Sequence, residues 1–373
     1  MDEDLNSLRE LARAFCENEL APHQQRWMAQ QHVDRALWTK AGKVGLLCLS
    51  IPEEYGGGGG TFAHEAVLIE EQARVGDCCW GNSVHSGMVA HYLLDYSTEE
   101  QKRCWLPRLA SGEWVGSIAM TEPDAGSDLQ NIRTRAVRTG DEYLINGSKA
   151  FITNGGQTDL IIVAAKTDAD PGEYGLSLLV VEASLTGVVR GRVLDKVGMK
   201  GQDTAELFFD DVRVPAANLL GGVEGLGTIQ LMEQLLRERL IIALTSVAAM
   251  ETAVTETLSY TKQRTAFGEA IFQFQNTRFT LAECATEAAV CRAFVDRCIE
   301  LYLRGDLDVS TAAMAKWWCS DRACRVIDDC VQLHGGYGYV NDYLIGRAWT
   351  DMRAQRIFGG TNEIMKEVIS YML

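Results

Sequence analysis

Residues 160–193, LIIVAAKTDADPGEYGLSLLVVEASLTGVVRGRV, decide what kind of fold this chain can adopt. Three β-rich runs, Leu160–Ala165, Leu176–Val181 and Val188–Val193, follow one another with turn signals such as Asp170-Pro171-Gly172 between them. Too little chain separates the runs for crossover helices, so they predict an antiparallel barrel or sandwich rather than a βαβ sheet. The same texture continues upstream at Tyr143–Asn146 and downstream at Ala205–Phe209, with turns at Thr139-Gly140-Asp141 and Asn154-Gly155-Gly156.

On both sides of this region the period changes. From Leu5 to about Leu106 the pattern is helical: Leu5, Leu8, Ala12 and Phe15 recur at helix spacing, Ala21-Pro22 marks a break, and His64–Val75 reads as a further helix. Between them, Pro52–Thr61 contains Gly56 to Gly60 in a row, which predicts a flexible loop; no G-K-[S/T] follows to make it a phosphate cradle. None of the six prolines lies beyond Pro215, and the chain after Gly227 predicts long helices over roughly 228–263, 275–303, 309–333 and 341–354, then a short one from Asn362. The expected organisation is α+β in three domains: helical over 1–117, an antiparallel β-domain over 118–224, and helical over 225–373.

The chain has 373 residues, more than one hydrophobic core usually spans, and its ordinary apolar content excludes a disordered protein. A net charge of −16 argues against nucleic acid and anionic membranes as partners. The longest nearly uncharged apolar stretch, Leu240–Met250, is about half a bilayer span, so no transmembrane segment is expected. Met1-Asp2-Glu3-Asp4 does not start like a secretory signal or an Arg-rich transit peptide. The eleven cysteines form no C-x-x-C and no Cys/His cluster, which predicts free thiols in a reducing compartment and no metal site.

Familiar nucleotide and hydrolase motifs are missing. Gly222-Val223-Glu224-Gly225-Leu226-Gly227 has the wrong glycine order for a dinucleotide fingerprint, and there is no Walker loop, H-E-x-x-H or G-x-S-x-G. The helix LMEQLLRERLII, residues 231–242, carries the sharpest chemical signal. Positions 231, 235, 238, 242 and 245 form one seam reading Leu, Leu, Glu, Ile, Thr, so Glu238 occupies a core-like position while Glu233 faces solvent. A carboxylate there is either half of a buried ion pair with an arginine or a base whose pKa desolvation has raised. Three polar or glycine-rich segments, Thr121–Asp128, Gln332–Tyr339 and Gly359–Ile364, are further candidates, although glycines often only end helices.

Six ordered stretches together resemble the acyl-CoA dehydrogenase family, nearest its long-chain members: IAMTEPDAGSD (118–128), NGSKAFITNGG (146–156), AELFFD (205–210), RTAFG (264–268), CVQLHGGYGY (330–339) and GGTNEIMK (359–366). The resemblance implies a helical domain, a middle β-domain and a C-terminal four-helix-bundle domain, with FAD between the last two and its adenosine end reaching a neighbouring subunit. By match to the motifs, Ile118, Ala119, Met120, Thr121, Phe151, Ile152 and Thr153 are expected against the isoalloxazine, and Ser127 near both flavin and pantetheine arm. Arg264, Phe267, Gln275, Gln332, Leu333, Gly335 and Gly336 are expected on the pyrophosphate and adenine side, and Thr361 and Glu363 complete the site. Phe151 stands where many relatives have Trp, and Asp124 replaces a common glycine.

Many family members carry the base immediately before Gly-Thr near the C-terminus, a position that is Gly359 here. Long-chain and isovaleryl members place it in a Glu-Arg-Leu sequence, which Glu238-Arg239-Leu240 matches, so resemblance and seam select the same residue. The implied reaction is α,β-dehydrogenation of an acyl-CoA to a trans-2-enoyl-CoA. Glu238 removes the α-proton, flavin N5 takes the β-hydride, and the Gly359 N–H polarises the thioester oxygen. Arg239 and Gly360 are expected beside the substrate. A glutamate restored at 359 in a Glu238→Gln background is expected to recover some activity, since both positions flank the same carbon.

The implied partners are an electron-transferring flavoprotein and further copies of the chain, as a tetramer. The implied compartment is the cytoplasm of a bacterium, or the mitochondrial matrix for a processed eukaryotic chain. Rival readings on the same fold are an acyl-carrier-protein-linked dehydrogenase and an acyl-CoA oxidase; a flavin-free scaffold subunit is a further one. Acyl length is expected to depend on how deep the pocket runs past His64–Val75 and Asn82–Tyr96, where His85 and Ser86 resemble long-chain members.

Overall fold

A computed structural model describes residues 3–167 and 175–373, so the turn expected at Asp170-Pro171-Gly172 lies outside the described residues. The N-terminal helices are α1 (Glu3–Phe15), α2 (Gln24–Gln30), α3 (Arg35–Lys43), α4 (Phe62–Arg74), α5 (Asn82–Val84), α6 (Ala90–Tyr96) and α7 (Glu99–Ala110). At Ala21-Pro22 the helical path changes type rather than stopping. A π turn (Cys16–Leu20) and a 3₁₀ turn (Ala21–His23) link α1 to α2, with Pro22 in the first turn, where a missing N–H costs little. Another π turn, His85–Val89, joins α5 to α6. Trp27, Trp38 and Trp80, each nearly fully buried, centre this domain's core.

The glycine run does not behave as the flexible loop expected. Gly58, Gly59 and Gly60 donate their N–H groups to Cys48, Ile51 and Leu49 carbonyls at 3.1, 2.9 and 2.9 Å. A Cβ on Gly57 would stand 2.2 Å from the Ile51 carbonyl oxygen. Glycine is needed here for close backbone packing.

The middle strands are β1 (Gly116–Ala119), β2 (Arg135–Thr139), β3 (Glu142–Thr153), β4 (Leu160–Thr167), β5 (Leu176–Glu182), β6 (Val188–Val193) and β7 (Thr204–Pro215). They pair in the order β1-β4-β2-β3-β7-β6, with β5 also on β4. The expected strand region is there, but the sheet is mixed rather than purely antiparallel: β1 and β2 both run parallel to β4. The long connection 120–134 between β1 and β2 lets two strands run the same way without a crossover helix. Both lacked a sequence signal, β1 because it has four residues and β2 because only Ala136 of its five is buried. The β3–β7 register slips between Lys149 and Ile152, and there Phe151 adopts φ +59° and points outward. Such bulges commonly re-aim a side chain beside a functional site.

The C-terminal domain contains α8 (Gly227–Gln263), a small hairpin of β8 (Thr265–Ala266) and β9 (Glu269–Ala270), α9 (Gln275–Arg304), α10 (Val309–His334), α11 (Leu344–Met352) and α12 (Asn362–Tyr371). These agree closely with the expected helices, and helical, β and helical domains follow in the expected order. By length and mean hydropathy α8 could cross a membrane, but 67% of its most apolar window is buried inside the protein. It is the central helix, packed on α4, α9 and α10. Buried Cys284, Cys291, Cys298, Cys319 and Cys330 contribute to the α8–α9–α10 core as small apolar groups.

Candidate active site

The seam on α8 buries Glu238, which is 4% exposed. Its Oε1 accepts a hydrogen bond from the Tyr92 hydroxyl of α6 at 3.0 Å. Burial pushes the Glu238 carboxyl up to about 7, against the opposing pull of the Tyr92 hydrogen bond and the Arg239 charge. The ion-pair alternative is not adopted. Arg237 pairs with Glu65 at 2.5 Å instead, and Arg239 makes no salt bridge among the described residues, its buried Nε being without a hydrogen-bond partner. Glu233 is exposed, as the seam predicts, and accepts from the Tyr96 hydroxyl at 2.6 Å.

Gly359 faces the same stretch of α8, with φ +65°. A Cβ there would lie 2.3 Å from Ile242 Cδ1, and Ile242 follows Glu238 by one helical turn. The two positions therefore border the same stretch of α8, and a side chain at 359 would need the tip of Ile242 to move and the residue to keep a left-handed φ. Gly360 follows with φ +85°, and Lys316 of α10 holds it. Fully buried, Lys316 donates to the Gly360 carbonyl at 2.6 Å and to Asn362 Oδ1 at 3.1 Å. Burial brings the Lys316 ammonium down to about 7, with the Arg239 charge adding to the effect. Thr361 caps α12 by accepting from the Ile364 N–H at 3.2 Å, and Glu363 is exposed beside it.

A second group lies at the ends of β1 and β3. Ile118 is half-buried, Ala119 is buried, and past Met120 the Thr121 carbonyl accepts from the Ala150 N–H at 2.9 Å. Beneath this junction Lys149 is buried against Glu122 at 2.8 Å and donates to the Met120 carbonyl at 2.9 Å. Ile152 is buried, Phe151 is 66% exposed and Thr153 half-buried. Among the described residues neither the Thr121 nor the Thr153 hydroxyl is hydrogen-bonded to another protein group. An outward aromatic ring on a strand end that also carries free hydroxyls suits a flat heteroaromatic cofactor with polar edges. Asn154, at φ +63°, donates to the Gly81 and Gly116 carbonyls at 3.1 and 3.2 Å, tying this junction to the segment that leads into Tyr92. Ser127 is exposed in the adjoining loop, where Asp124 forms an exposed pair with Arg133 at 3.1 Å.

The third group is remote from Glu238. Arg264 and Phe267, the latter 97% exposed at φ +54°, lie at the β8–β9 hairpin, and Gln275 opens α9. Gln332, Leu333, Gly335 and Gly336 sit beside them at the end of α10. Tyr260 stacks on His334 with centroids 4.2 Å apart, and the Arg264 guanidinium lies 5.8 Å from the Tyr337 ring centre. Nothing stands within 4 Å of a Cβ built on Gly335 or Gly336. Arg264 is some seven turns, roughly 38 Å, along α8 from Glu238.

Tyr92, Lys316, and the Glu122–Lys149 pair were not singled out from the sequence. Lys316 had a usable signal, a lysine in the otherwise small and apolar run Ala312–Trp318, whereas Tyr92 reaches Glu238 only across the fold. His85 is structural: its Nδ1 accepts from the Gly116 N–H at 3.0 Å, its Nε2 lies 3.1 Å from the Leu109 carbonyl, and burial lowers it to about 4. Ser86 is likewise engaged, accepting from the Cys48 N–H at 2.9 Å and donating to Asn82 at 2.7 Å.

Comparison with known proteins agrees with this architecture. Family profiles for the N-terminal, middle and C-terminal domains of acyl-CoA dehydrogenases match residues 2–113, 117–212 and 225–373. The chain is 48% identical to the long-chain specific mitochondrial acyl-CoA dehydrogenase of Sus scrofa, over 97% of this chain and 84% of that protein. It is 34% identical to mitochondrial isovaleryl-CoA dehydrogenase of Pongo abelii, over 99% and 88% of the two chains. Among solved structures it superposes on an acyl-CoA dehydrogenase from Geobacillus kaustophilus with TM-score 0.97 at 47% identity, covering 100% and 98% of the chains. A glutaryl-CoA dehydrogenase from Mycobacterium smegmatis in complex with FADH2 gives TM-score 0.91 at 27% identity, covering 100% and 95%. A chain from a study of the electron transferring flavoprotein of Acidaminococcus fermentans gives TM-score 0.95 at 36% identity, covering 100% and 98%. The chain belongs to the acyl-CoA dehydrogenase family of FAD-dependent oxidoreductases.

Proposed function

We propose that the chain dehydrogenates an acyl-CoA between Cα and Cβ, with Glu238 as the base. The observation that carries this is a buried carboxylate without a salt-bridge partner, raised to about 7, opposite the backbone of Gly359. Tyr92 donates to Oε1, which leaves Oε2 to take the α-proton. The Gly359 N–H polarises the thioester oxygen, and because the donor is backbone it does not depend on the missing side chain. Lys316 is the positioning group for that turn, through the Gly360 carbonyl. Arg239 supplies positive charge beside the anionic substrate.

FAD is held by Ile118–Thr121 and Phe151–Thr153 on one side and by Thr361 and Glu363 on the other; when bound it supplies the two-electron acceptor for the β-hydrogen. Arg264, Phe267, Gln275 and Gln332–Gly336 hold the adenosine end of a cofactor seated in a neighbouring copy, a reading supported by the roughly 38 Å that separates them from Glu238. An apolar groove of about 310 Å³ lined by Val290, Phe294, Met314, Trp317 and Trp318 supports a further interface between copies, and together the two faces favour a tetramer. An electron-transferring flavoprotein is the proposed acceptor partner.

The test is anaerobic mixing of Glu238→Gln with acyl-CoA. The variant should keep its bound FAD and still bind the thioester, but bleaching of the visible flavin band should slow by roughly a thousandfold or more. Near-normal bleaching would rule Glu238 out as the base.

A further inference from the structure

Between Glu233 and Glu238, polar contacts tie α8 to the helical segment that carries Tyr92, and the contact to the candidate base is one rung of that ladder. Tyr96 donates to Glu233 at 2.6 Å, Gln234 donates to Asp95 at 2.6 Å, and Tyr92 donates to Glu238 at 3.0 Å. A further rung is Arg237 Nε, which donates to the Gly87 carbonyl of the π turn at 2.8 Å. The π turn His85–Val89 runs straight into α6, so Gly87 and Tyr92 belong to one continuous helical path.

Arg237 is anchored on its far side. It is 3% exposed and pairs with Glu65 of α4, itself buried, at 2.5 Å. It also donates to Ser50 Oγ at 3.0 Å and to the Tyr302 hydroxyl of α9 at 3.1 Å. Ser50 hydrogen-bonds Glu65 and lies 2.8 Å from His91 Nε2. His91 immediately precedes Tyr92, so the cluster holds this helix at two points, the Gly87 carbonyl and the His91 ring, both within about a turn and a half of Tyr92. Its partners hold the buried Glu65 carboxyl at about 2, so the pair is ionised, and separating it would leave an uncompensated charge in the interior. The anchor therefore resists sliding.

Glu238 depends on that placement. The charged and titratable groups that act on it are Tyr92 of α6 and Arg239, its neighbour on α8. Among the described residues Tyr92 makes the one side-chain hydrogen bond to the carboxylate. A bond of 3.0 Å is lost when its helices slip by about an ångström. Glu65 and Arg237 carry opposite charges side by side, so their fields largely cancel at Glu238, and the cluster acts on the base through position.

Resting on the reading of Glu238 as the base, we propose that Arg237 is a positioning residue: anchored on Glu65 and Ser50, it pins the π turn through the Gly87 carbonyl and so keeps the Tyr92 hydroxyl on Glu238.

The test follows the ionisation of Glu238 in Arg237→Lys, which keeps a positive charge facing Glu65 but lacks the fork that spans Gly87, Ser50 and Glu65 at once. Two measurements on the FAD-loaded enzyme report it: the pH midpoint of kcat/KM, and titration of the infrared carboxyl band that disappears in Glu238→Gln. Loosening Tyr92 removes a donor to the ionised form, so both midpoints should move upward, by no more than the about half to one pH unit expected for Tyr92→Phe. In a Tyr92→Phe background the same change should add nothing, because the contact through which Arg237 acts is gone. A merely structural role lowers the melting temperature and moves neither midpoint. If Arg237→Lys does not fold with FAD, Ser50→Ala, which leaves both charges in place, carries the same expectation. An unmoved midpoint, or a shift that persists in full beside Tyr92→Phe, overturns the proposal. Should Glu238→Gln bleach the flavin normally, the base reading fails, and the infrared midpoint alone still decides the role of Arg237.

Discussion

Burying Glu238 beside a tyrosine and away from any ion-pair partner has two measurable consequences. A base must be deprotonated to act, so kcat/KM for the acyl-CoA should rise as pH passes through about 7. Tyr92→Phe removes the hydrogen bond that favours the ionised form, so the midpoint should move upward by about half to one unit. Stability responds in the opposite sense. The folded-state pKa is above the ordinary 4.5, so Glu238 favours the folded state at acid pH and that contribution is lost as pH rises from 4.5 through 7. Glu238→Gln should therefore gain up to about 3 kcal/mol relative to the natural chain above pH 7, a gain that disappears near pH 4. Melting temperatures of both proteins at the two pH values check it; a gap that widens on acidification would contradict the sign.

Single elements are placed by buried polar ties as much as by apolar packing. Lys149 on β3 and Glu122 in the loop after β1 fasten these two strands together, Glu122 also accepting from the Arg133 and Thr134 N–H groups at 2.6 and 3.0 Å. Lys149→Met leaves that carboxylate buried and unpaired and should cost about 3–5 kcal/mol, read as lost melting temperature and lost FAD. The C-terminal helices could be read from sequence to within a few residues because a long proline-free chain has one dominant period. Glu238 was legible for a related reason: a charge on an apolar seam is a local contradiction. β1, β2 and the π turn at His85–Val89 were not, since parallel pairing and one extra residue in a helical turn leave no periodic trace. Tyr92 and the partners of Arg237 come from elements more than a hundred residues away in several cases, which no local pattern encodes. The glycine run misled because five small residues look alike whether they are loose or closely packed.

At the scale of the whole molecule, the long helix α8 runs between Glu238 and the Arg264 end that we propose holds the adenosine part of a neighbouring copy's FAD. If each FAD is completed by another copy, assembly and flavin retention must be linked. Arg264→Ala should weaken FAD binding by about tenfold, with the affinity now falling on dilution. Trp317→Glu, placed in the apolar groove, should reduce the mass measured by light scattering. A fully loaded monomer would contradict the shared site. The cysteines offer an independent view of the same bundle. Cys104 is exposed, whereas Cys284, Cys291, Cys298, Cys319 and Cys330 are sealed between helices as free thiols. An added thiol reagent therefore meets Cys104 at once, the half-buried Cys78 and Cys324 more slowly, and the sealed ones only when the structure opens. The protein carries its own clock for opening: slow labelling mapped to Cys284, Cys291, Cys298, Cys319 and Cys330 counts how often α9 and α10 separate, slow labelling at Cys16, Cys48 and Cys79 reports the N-terminal half, and Cys104 marks the start.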